Sequence, residues 1–112
     1  MTPTPIAFGE QLAFVMYLKP GCKHEYKQRH TIIWPELVEA LKKVGISDYS
    51  IYFEEHHQQL FAVLRCDDPD KLDKLALQPI MRRWWNFMAD IMLCHEDKRP
   101  ISTPLERVFY LA

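Results

Sequence analysis

From Leu12 to Leu18 the chain reads "LAFVMYL", apolar at almost every position, as in a strand buried on both faces. Residues 1–11 before it are rich in proline and polar residues and read as a flexible N-terminal extension. "PGC" punctuates the strand, and Lys23 to Val44 then follow helical spacing, with Leu37, Ala40, Leu41 and Val44 forming one apolar stripe. Pro35 interrupts this helix, because an interior proline removes an N–H and clashes with the carbonyl four residues earlier. The spacing therefore predicts a break near Thr31 to Trp34, a restart with Pro35 in the first turn, and an end at Gly45.

"DYSIYFEEHHQQLFAVLRC" predicts a hairpin, with strands Asp48 to Glu54 and Leu60 to Cys66 around a polar turn. Alternation places Tyr49, Ile51 and Phe53 on one face and Tyr52 on the other. "DDPDKLDKLA" predicts a short helix, and "QPIMRRWWNFMADIML" a longer one with Pro79 near its start. The apolar stripe of the longer helix is Ile80, Trp84, Phe87, Met88 and Ile91, while Arg82, Arg83, Asn86 and Asp90 face outward. "CHEDKRPISTP" reads as a loop before a final strand, "ERVFYLA". The order β-α-β-β-α-β is that of the α+β ferredoxin-like unit, with residues 12–112 as a single domain and both helices on one side of an antiparallel sheet. Because strands one and three are apolar on both faces, the bare side of the sheet needs a cover. A second copy of the chain is the simplest one, giving a homodimer of the dimeric α/β barrel type.

The 112 residues carry a formal net charge of -1, and Lys and Arg are scattered, which argues against a nucleic-acid-tracking surface. No apolar run approaches a membrane span, and the start lacks the basic and apolar regions of a secretion signal, so a cytoplasmic protein is expected. Cys22, Cys66 and Cys94 are too irregularly spaced for a disulfide framework and read as reduced packing thiols. His56-His57 fall in the hairpin turn, and no histidine or cysteine has zinc-ligand spacing, so no metal is expected.

"EYKQRHTIIWPEL", Glu25 to Leu37, places a phenol, an imidazole and an indole near the predicted helix break. Tyr26 and His30, four residues apart, share a helix face with about 6 Å of rise between them, a spacing able to grip one small ligand. Imidazole titrates near physiological pH and a phenol can orient an oxygen by hydrogen bonding. Tyr49 opens the second strand, and Trp84 and Trp85 supply flat apolar surfaces. Together they suit a sugar ring, with its apolar C–H faces and polar edge. Taken singly, each has a plainer reading: His30 as a structural histidine, Tyr26 and Tyr49 as packing tyrosines, Trp84 as core. Trp85, a further 100° round the helix, fits the core stripe less well.

Four segments, "EYKQRHTIIWPEL", "YSIYF", "MRRWWNFMADIM" and "VFYL", resemble the L-rhamnose mutarotase family over nearly the whole chain after the first ten residues. The resemblance implies a dimeric ferredoxin-like fold and a cytoplasmic isomerase that interconverts the α and β anomers of L-rhamnose without metal or cofactor. By position it makes His30 the catalytic proton-transferring residue, and Tyr26, Tyr49, Trp84 and Trp85 the substrate-binding residues. The loop "CHEDKRP", Cys94 to Pro100, departs from the family pattern, which bears on sugar specificity more than on reaction type. Two other functions fit the same fold: a non-catalytic sugar-binding or regulatory module, and a cofactor-independent monooxygenase.

Overall fold

The structure, a computed structural model, describes residues 10–112. The expected flexible extension lies outside the described residues except for Glu10 and Gln11, which already belong to the first strand. The elements run β1 (Glu10–Tyr17), α1 (Lys23–Thr31), α2 (Pro35–Lys43), β2 (Ile46–Glu54), β3 (Gln59–Cys66), α3 (Lys71–Leu75), α4 (Pro79–Met88) and β4 (Ser102–Pro104). The sheet order is β2-β3-β1-β4 with every neighbouring pair antiparallel, which is the ferredoxin-like arrangement expected from the element order.

The helix break falls where Pro35 requires it. Trp34 is extended (φ -65, ψ 128), as the residue before a proline prefers, and Pro35 opens α2 at a position where no intrahelical N–H is needed. Gln78 and Pro79 repeat this arrangement at the start of α4. Gly45 turns the chain out of α2 at φ +88, and a Cβ there would run into the Asp67 carboxylate.

Register places Leu12, Phe14 and Met16 of β1 beside Leu64, Ala62 and Leu60 of β3, and Ile51 and Phe53 of β2 beside Ala62 and Leu60. All the helices pack on this face: Leu37 and Ala40 from α2, Leu75 from α3, and Met81, Trp84 and Met88 from α4 enter one core with it. Between Ser47 and Ser50, β2 carries one extra residue against β3, with Asp48 at φ +50. This bulge lets Ile46 and Ile51, an odd number of positions apart, both face the helices. On the opposite face lie Val15, Phe61 and Val63, with Tyr52 66 % exposed.

Two sequence expectations need correction. The last strand is not "ERVFYLA" but Ser102–Pro104, inside the stretch expected to be a loop, and residues 105–112 form no strand. Thr103 opposes Val15, and the Leu105 N–H donates to the Ala13 carbonyl at 2.9 Å, after which the pairing with β1 ends. Pro104 is tolerated because β4 is an edge strand. The apolar tail beyond is exposed, and Val108 is 90 % exposed. On α4, Phe87 is 42 % exposed, and Met81 takes the inward place assigned to it. Phe87 instead lies beneath the Arg29 guanidinium and beside the Trp34 ring.

Candidate active site

An open cavity of about 1850 Å³ is lined by Tyr26, His30, Tyr49, Trp84, Trp85 and Arg99 among others. Thus all five residues singled out in the sequence reach one cavity, from α1, β2 and α4. Leu12, Phe14, Ile51 and Phe53 add apolar lining from the sheet.

His30 and Tyr26 sit one turn apart on α1, with ring centroids 4.3 Å apart and planes tilted by 32°. The edge of Trp84 meets the His30 ring at 5.4 Å, nearly perpendicular. The His30 Nδ1 lies 2.9 Å from the Tyr26 carbonyl oxygen, a contact that becomes a hydrogen bond when Nδ1 carries the proton and donates it. In the neutral ring this leaves Nε2 as the lone-pair nitrogen. Burial lowers the His30 pKa below the usual imidazole value, outweighing the opposing hydrogen bond to Tyr26, so the ring favours its neutral, proton-accepting form.

The phenols are shifted the other way. Desolvation raises Tyr26 well above the ordinary phenol value, with a smaller contribution from nearby Tyr49. Desolvation also pushes Tyr49 up to about 12, although 38 % of the residue's surface is open. Both therefore stay protonated and can donate hydrogen bonds at neutral pH. Among the described residues, neither hydroxyl and no His30 Nε2 has a protein hydrogen-bond partner, and no buried side-chain polar atom is left unsatisfied. These three groups are therefore open to whatever enters the cavity.

Trp84 is buried, touching His30 on one side and Trp34 on the other. It is at once core and cavity wall. Trp34 meets Trp84 edge-on at 5.1 Å and lies tilted against Phe87, and it serves packing. Trp85 is half-buried, flanked by the guanidinium groups of Arg82 at 5.7 Å and Arg99 at 5.6 Å. Arg99 comes from the loop that departs from the family pattern and was not foreseen as a cavity residue. Its only sequence signal was the charge cluster "EDKR". His56 and His57 remain in an exposed turn, where their backbone N–H groups donate to the Glu54 carboxylate. Among the described residues, no cluster of three or more His, Cys, Asp or Glu side chains is arranged to hold a metal ion.

Fold and cavity together define a ferredoxin-like domain whose aromatic-walled cavity is lined by an imidazole and two phenols. Structures under 25 % identical share the fold alone. One is an antibiotic biosynthesis monooxygenase from Nitrosomonas europaea, so assigned only provisionally, with 9 % identity and a TM-score of 0.59 over 89 % of this chain and 100 % of that one. The family model described as L-rhamnose mutarotase matches residues 11–111, and the chain belongs to that family. It is 53 % identical over 102 residues to the L-rhamnose mutarotase of Acidiphilium cryptum, covering 91 % of this chain and 98 % of that protein. With that of Mesorhizobium japonicum it shares 50 % identity over 103 residues, 92 % of this chain and 98 % of that protein. The crystal structure of an L-rhamnose mutarotase from Formosa agariphila superposes with a TM-score of 0.87 at 45 % identity, covering 93 % of this chain and all of that one.

Proposed function

We propose that this chain interconverts the α and β anomers of L-rhamnose, with His30 as the proton-transferring residue and Tyr26, Tyr49, Trp84 and Trp85 holding the sugar. The observation that carries this is the convergence on one apolar-walled cavity of an imidazole, anchored through Nδ1 to the Tyr26 carbonyl, and two phenols; its Nε2 and both hydroxyls have no partner among the described residues. The neutral Nε2 accepts the proton of the anomeric hydroxyl while a phenol donates a hydrogen bond to the ring oxygen. As the bond from C1 to the ring oxygen breaks, C1 becomes the aldehyde carbon and the imidazolium returns its proton to the ring oxygen. Both oxygens were bonded to C1, so one nitrogen can serve both. Rotation about C1–C2 and the reverse steps close the other anomer. No redox change occurs, and positioned acid–base groups typically contribute about 10²–10⁴-fold.

The same proposal includes a homodimer. The open sheet face presents exposed Tyr52 beside half-buried Phe61 and Val63, and the tail exposes Val108, Phe109, Tyr110 and Leu111, more apolar surface than a monomer usually leaves bare. The cavity also exceeds the roughly 300–1,000 Å³ of closed small-molecule pockets, as expected if another element narrows it. A second copy is the occupant. No described helix is long and apolar enough to cross a membrane, and Cys22, Cys66 and Cys94 are all free, which suits the reducing cytoplasm. Light scattering at micromolar concentration should give twice the chain mass, and a stable monomer would remove the dimer from the proposal.

The activity is tested by magnetisation transfer between the two L-rhamnose anomers with and without protein, beside L-fucose, L-lyxose and L-mannose. Faster exchange, greatest for L-rhamnose, is the expected result. Binding without faster exchange would make the chain a sugar-binding module instead.

A further inference from the structure

α1 carries the two residues nearest the chemistry, yet its sequence, "KHEYKQRHT", buries only Tyr26. Such a helix cannot be held by an apolar stripe. Its polar attachment is concentrated at Arg29, whose side chain is only 11 % exposed. The Arg29 Nε donates to Glu25 Oε2 at 2.8 Å, within the helix. Nη1 donates to the Phe87 carbonyl at 2.7 Å and to Asp90 Oδ1 at 2.9 Å, and Nη2 to Asp90 Oδ2 at 3.1 Å. The guanidinium also lies 4.6 Å from the centroid of the Phe87 ring. One side chain thus makes a two-pronged carboxylate pair, occupies a carbonyl of the last turn of α4 and stacks on an aromatic face.

The position of this clamp is what gives it a consequence. Arg29 precedes His30 on α1, and Phe87 lies one turn beyond Trp84 on α4. His30 and Trp84 meet across the same two helices at 5.4 Å. We infer that Arg29, with Asp90, is a positioning residue: it fixes α1 against the C-terminal end of α4 and so sets the His30 imidazole against the wall formed by Trp84. Asp90 does not line the cavity, and its side chain is paired with Arg29, through which it acts. The inference rests on the proposed role of His30 for its catalytic consequence, though not for its geometry. The pair is suited to persist in mild acid, because the hydrogen bonds from Arg29 hold the Asp90 carboxyl below its ordinary range.

The test uses the full chain with Arg29→Met, which keeps the aliphatic stem and removes the fork, and Asp90→Asn, a surface change that keeps the fold accessible if the first variant unfolds. Misplacing a catalytic group by about 1 Å can cost on the order of 10²-fold, so a loosened clamp should lower kcat by about tenfold or more with KM changed much less. Arg29→Lys, with a point charge but no fork, should recover only part of the loss. Independently of activity, the proton resonances of the His30 ring should shift in Arg29→Met and Asp90→Asn, because the ring moves in the field of Trp84. An unchanged kcat in folded variants, even with a lowered Tm, would reduce the clamp to a structural role and overturn the proposal. Unmoved His30 resonances would do the same. Absence of catalysed exchange in the unaltered protein would count against the mutarotase proposal alone, and the resonances would then decide the clamp.

Discussion

α1 and α2 are neighbouring helices of nine residues each, separated by one extended joint, and they are attached to the domain by opposite means. α2 has an apolar stripe: Leu37 is fully buried, Ala40 is buried beside it, and Leu41 packs at the margin. α1 is polar almost throughout and is held by the Arg29 clamp and by Tyr26. A stripe of aliphatic side chains gives stability without directing any one group. A polar helix leaves its hydroxyl and imidazole free to face a cavity, and relies on a few directional bonds to keep them there. The proline between them allows one segment of sequence to hold both designs.

Substitutions should separate the two helices. The largest effect on stability is expected from Leu37→Ala, which leaves a cavity in the core and should cost about 2–5 kcal/mol in denaturant unfolding. Exchange per folded molecule should stay near normal, and a specific activity that fell in proportion would blur the distinction. His30→Ala should show the opposite pattern, with catalysed anomer exchange down about 10²-fold or more, which is about 2.7 kcal/mol or more of barrier, and a smaller loss of stability than Leu37→Ala. Near-normal exchange in folded protein would remove His30 from the mechanism.

Tyr26→Phe and Tyr49→Phe take away only a hydroxyl that has no protein partner among the described residues. Each should lower exchange by about tenfold, less than the loss of the proton carrier, while leaving unfolding nearly unchanged. A collapse matching His30→Ala in either variant would assign proton transfer to that phenol.

The smallest expected effect is on the pH profile. Burial depresses the His30 pKa, so the imidazole stays neutral as the pH falls through the ordinary imidazole range, and catalysed exchange should decline only below it. The sign for stability is the same. The folded state resists protonation of His30 and the unfolded chain does not, so this contribution is complete above the usual imidazole pKa and is lost as pH falls towards the depressed folded value. A rate profile centred on or above the ordinary imidazole value would show that His30 is not held in a desolvated site.

Much of this organisation could be read from local pattern. Pro35 dictated the break between α1 and α2, the alternation around Ile51 and Phe53 dictated which side of β2 faces the helices, and the i, i+4 spacing of Tyr26 and His30 dictated a shared face. These are consequences of backbone geometry within a few residues, so they need no knowledge of what lies across the core. Local pattern misled at the end of the chain, where "ERVFYLA" has strand composition and "ISTP" does not. Strand formation requires a partner edge, and β1 offers Phe14 to Met16 to Ser102–Pro104.

The sequence by itself determined the order of elements, the ferredoxin-like class, and the set of side chains able to move a proton or hold a sugar. Only the tertiary structure decided which of them meet. Tyr49 reaches the cavity shared with Tyr26 and His30 because β2 packs through β3 against the helices, and Trp84 reaches His30 because α4 crosses back over the same face. Asp90 read as an outward-facing charge and nothing in the local pattern singled out Arg29, and their pairing joins positions 61 residues apart. A charge pattern read along one helix reports neighbours three and four residues away, whereas a clamp between helices depends on the fold that brings distant turns together.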